Sequence, residues 1–247
     1  MTPDELSTLM RSSNVSIGAA LLHFSSILSG RTDAFDVGDE LLNDLAASIE
    51  GPTVPALVSH LFGTSGFTGD VDNYHDEQNS FLDRVLERRK GMPITLSAVV
   101  VEVGQRLGID LHLIGMPGHV IVGVANEPGR YIDAFGGTEL DQRGVLRRFE
   151  SLFGAQADIP EDALQPIDAI SVVNRVANNL MRTWADSDSS KLDRLLEVRV
   201  ALPTSESEQW LLVNIAEARG RFDLAAKLRN DINPEDPQIK SLWARLN

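Results

Sequence analysis

Three positions could combine into one site: a helix start at Pro93, a histidine at His119 and an aspartate at Asp133, 14 residues further on. A thiol enzyme places its nucleophile at a helix N-terminus, where unpaired backbone N–H groups and the helix dipole favour the thiolate. A histidine on a neighbouring strand takes the proton, and an acid on the next strand fixes the histidine's tautomer. The order here is right, but the first member is a proline and the chain contains no cysteine. That excludes thiol catalysis, disulfides and thiolate zinc sites. A hydroxyl could stand in, and Ser80, Thr95 and Ser97 are the candidates. It has a much higher pKa than a thiol and needs a well-placed base, His119, oriented by Asp133. The plainer reading is that Thr95 and Ser97 cap or back-bond within the helix. His119 and Asp133 are expected to hydrogen-bond to each other. Asn73, Tyr74 and Asn79, in a loop just before the site helix, are candidate binding residues together with Thr95 and Ser97. His119, Asp133 and His75 lack tight ligand spacing, so no metal is expected. No cofactor is expected either, because the glycines at 63–69 lack the Lys-Ser/Thr of a phosphate-binding loop.

The elements that must position these groups are legible in outline. Residues 1–90 read as helical, with Pro3, Asp4 and Glu5 suited to a first turn. Leu41, Leu42, Leu45 and Ile49 share a helical face that stops at Gly51-Pro52. A short helix is expected over 54–62, a Gly- and Asp-rich loop over 63–79 and a helix over about 80–90. Pro93 starts the site helix, which places Leu96, Val100, Val103 and Leu107 on one face and stops at Gly108. Residues 111–115, 119–124 and 130–135 read as strands, and 126–129 as a turn. If His119 and Asp133 share a sheet face, paired residue numbers must sum to an even value, and the connecting loop must be odd in length or bulged. Helix returns over 141–153. A linker is expected near 157–167, around Pro160 and Pro166. Helices follow over 168–184, 190–202, 209–219, 222–231 and 239–246.

Bulk properties narrow the partners. The chain has 247 residues, with 43% hydrophobic and 23% charged side chains, which suits a globular protein with a real core. Its formal charge of −14 repels nucleic acid and anionic membranes. The basic clusters Arg88-Arg89-Lys90 and Arg143/Arg147/Arg148 read as solvated helix faces. The acidic start Met-Thr-Pro-Asp-Glu is unlike a signal peptide. The apolar stretch 16–30 holds His23 and four serines and is too short to span a bilayer. A cytoplasmic protein is expected.

Four stretches carry a family resemblance. Asp72-Asn73-Tyr74, the run from Asn79 to Ser97, Gly115-Met116-Pro117-Gly118-His119 and Tyr131-Ile132-Asp133-Ala134-Phe135-Gly136-Gly137 together resemble the SirB-type proteins. Those have a transglutaminase-like core followed by a tetratricopeptide-like tail, and the likeness covers about residues 35–240. Ala134 departs from the pattern, standing where proline is expected. Gly91-Met92-Pro93 precedes Gly108-Ile109 by the spacing that separates the nucleophile turn from the helix end in transglutaminase-like enzymes. The resemblance thus puts Pro93 in register with the missing cysteine. In the tail, Gly220, Phe222, Ala225 and Pro237 have tetratricopeptide spacing, while Val213 and Ile232 stand where small residues are usual. A single such unit cannot bury its own face, so it should pack on the core or a partner.

The resulting expectation is an α+β protein. Residues 1–157 would form a papain-like, transglutaminase-like core with a helical N-terminal part and a small antiparallel sheet packed on the site helix. Residues 166–247 would form an all-α tail. The expected function is non-catalytic: a protein- or peptide-binding or regulatory module whose His119–Asp133 pair is a relic. The alternative is an amide hydrolase or acyl transferase with a hydroxyl nucleophile, and a third reading is a structural module with a closed cleft.

Overall fold

A computed structural model describes residues 1–12, 15–155, 157–185 and 189–230. The expected helix over 239–246, with Ile232 and Pro237, lies outside the described residues. The chain divides into two compact units, one of residues 14–176 and one of residues 1–13 with 177–247. The sequence-based boundaries of 1–157 and 166–247 fall elsewhere. The first helix groups with the tail rather than with the core, and the division runs through a helix rather than through a linker.

The larger unit begins with α2 (Ile17–Ser29), following α1 (Pro3–Met10) of the other unit. Ser16 caps α2 by accepting from Ala19 N–H, and Gly30 closes it in the left-handed conformation at φ 73°. Next come α3 (Ala34–Ala47) and α4 (Val54–Val58), which runs on into a π-helical turn at Ser59–Thr64 rather than continuing as α-helix to residue 62. Strand β1 (Thr68–Gly69), the 3₁₀ turn Glu77–Ser80, α5 (Leu82–Arg88) and β2 (Lys90–Gly91) lead to α6 (Pro93–Arg106). Short as they are, β1 and β2 pair in parallel and fix the chain on either side of the 70–89 excursion.

Helix α6 is the centre of this unit. The sequence suggests one apolar face, yet every residue from Pro93 to Gly104 is buried. The helix touches α2, α3, α4 and α5 as well as β3 (Leu111–Ile114) and β4 (Ile121–Val124), so it needs apolar side chains all round. Its one internal charge, Glu102, is satisfied: Oε1 accepts from Gly18 N–H at 2.7 Å and Oε2 from Arg106 at 3.0 Å. An unpaired carboxylate there would destabilise the core by several kcal/mol.

Strands β3 and β4 continue through β5 (Tyr131–Asp133) and β6 (Thr138–Leu140) as a four-stranded antiparallel meander. Val122 pairs with Ile132 and Gly123 with Tyr131, and Val124 N–H bonds Arg130 O across a loop of odd length, 125–129. This is the even register that puts His119 and Asp133 on one face. His119 itself precedes β4 rather than opening it. Helix α7 (Gln142–Phe153) is capped by Asp141, which accepts from Gly144 N–H at 2.7 Å.

The stretch 157–167 is not a free linker. It makes a 3₁₀ turn at Glu161–Leu164, Pro166 bridges Ile114, and Ile167 N–H bonds Leu113 O at 2.9 Å. Strand β3 is a sheet edge with unpaired backbone groups, and this segment covers it. Ile159 and Leu164 pack on the small cluster Ile114, Met116, Ile121 and Val145. Helix α8 (Ala169–Trp184) follows.

The described residues of the smaller unit form helices and turns. Its α1 starts with a reciprocal cap, Glu5 N–H to Thr2 Oγ1 and Thr2 N–H to Glu5 Oε2. Helix α1 packs on α9 (Ser189–Ala201), and α10 (Glu206–Ala218) pairs with α11 (Phe222–Asn230) across a turn at Gly220. Leu196, Trp210, Leu212, Val213, Ala216, Ala225 and Leu228 form its core. Of the residues with tetratricopeptide spacing, Ala225 is buried and Phe222 is exposed.

Candidate functional site

The base half of the site is built by a turn, a strand and a helix. Pro117-Gly118 makes the turn, with Gly118 at φ 70°, a conformation that a Cβ disfavours, and His119 N–H returns to Met116 O. Arg175 holds the turn from behind, donating to Gly115 O at 2.7 Å and Met116 O at 3.4 Å. His119 Nε2 then lies 3.0 Å from Asp133 Oδ1. The same oxygen accepts the N–H groups of Phe135 and Gly136, both at 3.2 Å. The other oxygen, Oδ2, accepts Arg148 Nε at 3.1 Å and is also bonded by Arg148 Nη2.

Burial opposes ionisation of Asp133, but the bonds from His119 and Arg148, with their charges, outweigh it and bring its pKa down to about 2. The carboxylate is therefore ionised and acts only as an acceptor, so Nε2 of His119 carries the hydrogen. In the neutral ring the lone pair is then on Nδ1, the arrangement a general base requires.

Arg148 is a member of this site that the sequence reading assigned to a solvated helix face. The available signal was spacing: Arg148 lies three and four residues beyond Val145 and Gly144, which the structure buries, and so shares their inward side of α7. The other basic cluster needs the same correction. Arg88 donates to Asn79 Oδ1, Asp70 Oδ2 and Asp76 Oδ2, each at 3.3 Å.

The nucleophile half is different. Pro93 is the first residue of α6, where a proline's missing N–H costs nothing. Thr95 Oγ1 accepts Met92 N–H at 3.2 Å and donates to Asn79 O at 2.8 Å. It thereby caps the helix and ties it to the preceding loop. Gly91 makes room for this, since a Cβ there would meet Thr95 Oγ1 at 2.9 Å. Ser97 Oγ donates to Val120 O at 3.5 Å, and Ser80 Oγ faces the Met92 sulfur at 3.8 Å. Among the described residues, no hydroxyl hydrogen-bonds to His119. The hydroxyl-nucleophile alternative therefore lacks its central contact.

Of the five expected binding residues, three are interior. Asn79, Thr95 and Ser97 are buried, and Asn79 spends its amide on Asp70 Oδ2 and on Asn73 O, at 3.2 and 2.8 Å. These are structural roles, holding the 70–80 loop against α6. Asn73 and Tyr74 are exposed. Tyr74 lies edge-on to Phe135 with ring centres 5.9 Å apart, and Phe135 lies edge-on to His119 at 6.4 Å. A line of rings thus runs from the surface to the histidine. His75 stacks edge-on against Tyr74 at 5.2 Å. His119 is 8% exposed, so its ring reaches solvent only narrowly.

A helix start, then a histidine just before one strand bonded to an aspartate on the next, is the order of a transglutaminase-like site. The family model of the transglutaminase-like superfamily matches residues 35–178, and the chain belongs to that superfamily. Its relatives are the SirB-type proteins. A UPF0162 protein of Xylella fastidiosa strain Temecula1 is 35% identical over 140 residues, 54% of this chain and 49% of the relative. The chain thus spans about half the length of that curated relative. A UPF0162 protein of Vibrio cholerae is 30% identical over 112 residues, 44% of this chain and 42% of the relative. Protein SirB1 of Salmonella typhimurium is 24% identical over 206 residues, 77% of this chain and 74% of its own length. No solved structure matches the chain significantly. None of the helices in the described residues is long and apolar enough to cross a membrane.

Proposed function

We propose that this chain is a non-catalytic transglutaminase-like protein that binds a protein or peptide in the cytoplasm, with His119 at the floor of the binding site. The observation that carries the reading is the state of α6's first turn. The resemblance puts Pro93, the first residue of α6, in the nucleophile register, and the nearby hydroxyls are bonded to Asn79 O, Val120 O and the Met92 sulfur. The His119–Asp133–Arg148 array then works as an ordered polar floor, with Nδ1 of His119 as an acceptor for an incoming donor. The exposed Tyr74 supplies an amphipathic contact of the kind that dominates protein interfaces. The formal charge of −14 disfavours nucleic acid and anionic membrane as partners. The α-helical tail would brace the core or add contact surface.

The test is turnover of glutaminyl-amide and p-nitrophenyl ester substrates by the full chain and by His119→Ala. Rates equal to each other and to buffer are expected. Turnover by the parent that disappears in His119→Ala would overturn the non-catalytic reading.

A further inference from the structure

The outer side of α7 has no role in the array around Asp133, although it adjoins it. Arg148 turns inward to Asp133, whereas Arg143 and Arg147 lie exposed, and no acidic side chain forms an ion pair with either among the described residues. They are four residues apart on one helix and repel each other, so a bound anion would relieve them both. The one acid of α7, Glu150, is half-buried. Beside these charges the helix exposes large apolar side chains: Leu146 is 39% exposed, Leu152 45% and Phe153 52%. Phe153 packs on Phe149 with ring centres 4.7 Å apart, which holds it in place. The patch reaches the histidine turn. A Cβ built on Gly118 would sit 3.5 Å from Phe153 and 3.6 Å from Leu152, and His119 is the next residue. Cations with no ion-pair partner among the described residues, and exposed leucine and phenylalanine, thus share one helix at the edge of the site, on a protein that is otherwise acidic.

We infer that α7 and the Gly118–His119 turn form a docking surface for an acidic peptide segment with an apolar anchor. Arg143 and Arg147 take its carboxylates, and Leu146, Leu152 and Phe153 take the anchor. The inference rests on the protein-binding reading above and adds the chemistry of the partner. A basic and apolar helix could also meet an anionic bilayer, but the net charge of −14 opposes approach to an extended negative surface. A short peptide samples only the local positive field, screened beyond about 8–10 Å.

The test is selection of a random peptide display library on the full chain, followed by anisotropy of the recovered peptides. The expected consensus pairs Asp or Glu with Leu or Phe. Binding should fall roughly tenfold or more in Arg143→Glu/Arg147→Glu and again in Leu146→Ser/Phe153→Ser, as for charged and apolar anchors of an interface. All four positions are on the surface, so the variants should melt like the parent. A consensus unaffected by these changes but lost in Tyr74→Ala would overturn the α7 surface and leave the protein-binding reading standing. No enriched peptide would overturn both. Co-sedimentation with phosphatidylserine vesicles that Arg143→Glu/Arg147→Glu abolishes, without any peptide consensus, would assign the surface to membrane instead.

Discussion

The two halves of the site solve opposite problems with the same kind of chemistry. Around Asp133, hydrogen bonds from one histidine, one arginine and two backbone N–H groups converge on a single carboxylate, leaving His119 Nδ1 uncommitted. At the start of α6, hydrogen bonds are spent inward, and Thr95 Oγ1 is consumed in capping the helix and holding Asn79. One half presents a group, while the other seals itself. On the proposed reading, a transglutaminase-like scaffold keeps a histidine with a free ring nitrogen beside a sealed helix start, because each half is stabilised by its own contacts.

The largest test of this contrast is Asp133→Ala. It strands two backbone N–H groups and the arginine fork, so urea unfolding should show a loss of about 3 kcal/mol. An unchanged midpoint would mean that the array is ornamental and the contrast false. Acid should act on the same carboxylate. Its pKa is lowered from 3.8 to about 2, so its contribution is present above the unfolded value and lost as pH falls through the folded one. Between about pH 4 and pH 2 that removes roughly 2 kcal/mol, a drop that should be missing in Asp133→Asn. On the sealed half, Thr95→Val deletes a buried donor and acceptor and should lower stability by about 1.5 kcal/mol in the same assay. A neutral result there would mean that the hydroxyl is free for other work. The smallest effect belongs to His119→Ala, about 1 kcal/mol, since Asp133 keeps Arg148 and two N–H donors. A loss as large as that of Asp133→Ala would make the histidine a pillar of the fold.

Part of this arrangement was legible in the chain. The helix at Pro93 and the strands follow from local rules: proline at a helix start, β-branched alternation, a Pro-Gly turn. The even register was only a condition for the His119–Asp133 contact; it is met because the loop runs over 125–129 rather than 126–129. What local rules could not reach were partners set by distant packing. Arg148 and Arg88 look like solvent charges in sequence because their acceptors, Asp133 and Asp70, come from other elements. Leu96, Val100 and Val103 suggest one apolar face, but layers on several sides bury all of α6 as far as Gly104. Pro160 and Pro166 read as a linker because an isolated segment cannot reveal that a sheet edge at β3 needs covering. Asn79 shows the same limit: its polar side chain in a loop suggests ligand binding, and its partners turn out to be Asp70, Asn73 and Arg88.

The central claim is that the site holds a placed base and no nucleophile. Intact-mass spectrometry after exposure of the full chain to a hydroxyl-directed fluorophosphonate tests it most directly. The account predicts an unchanged mass. A stoichiometric adduct on Ser80, Thr95 or Ser97 that His119→Ala prevents would contradict it.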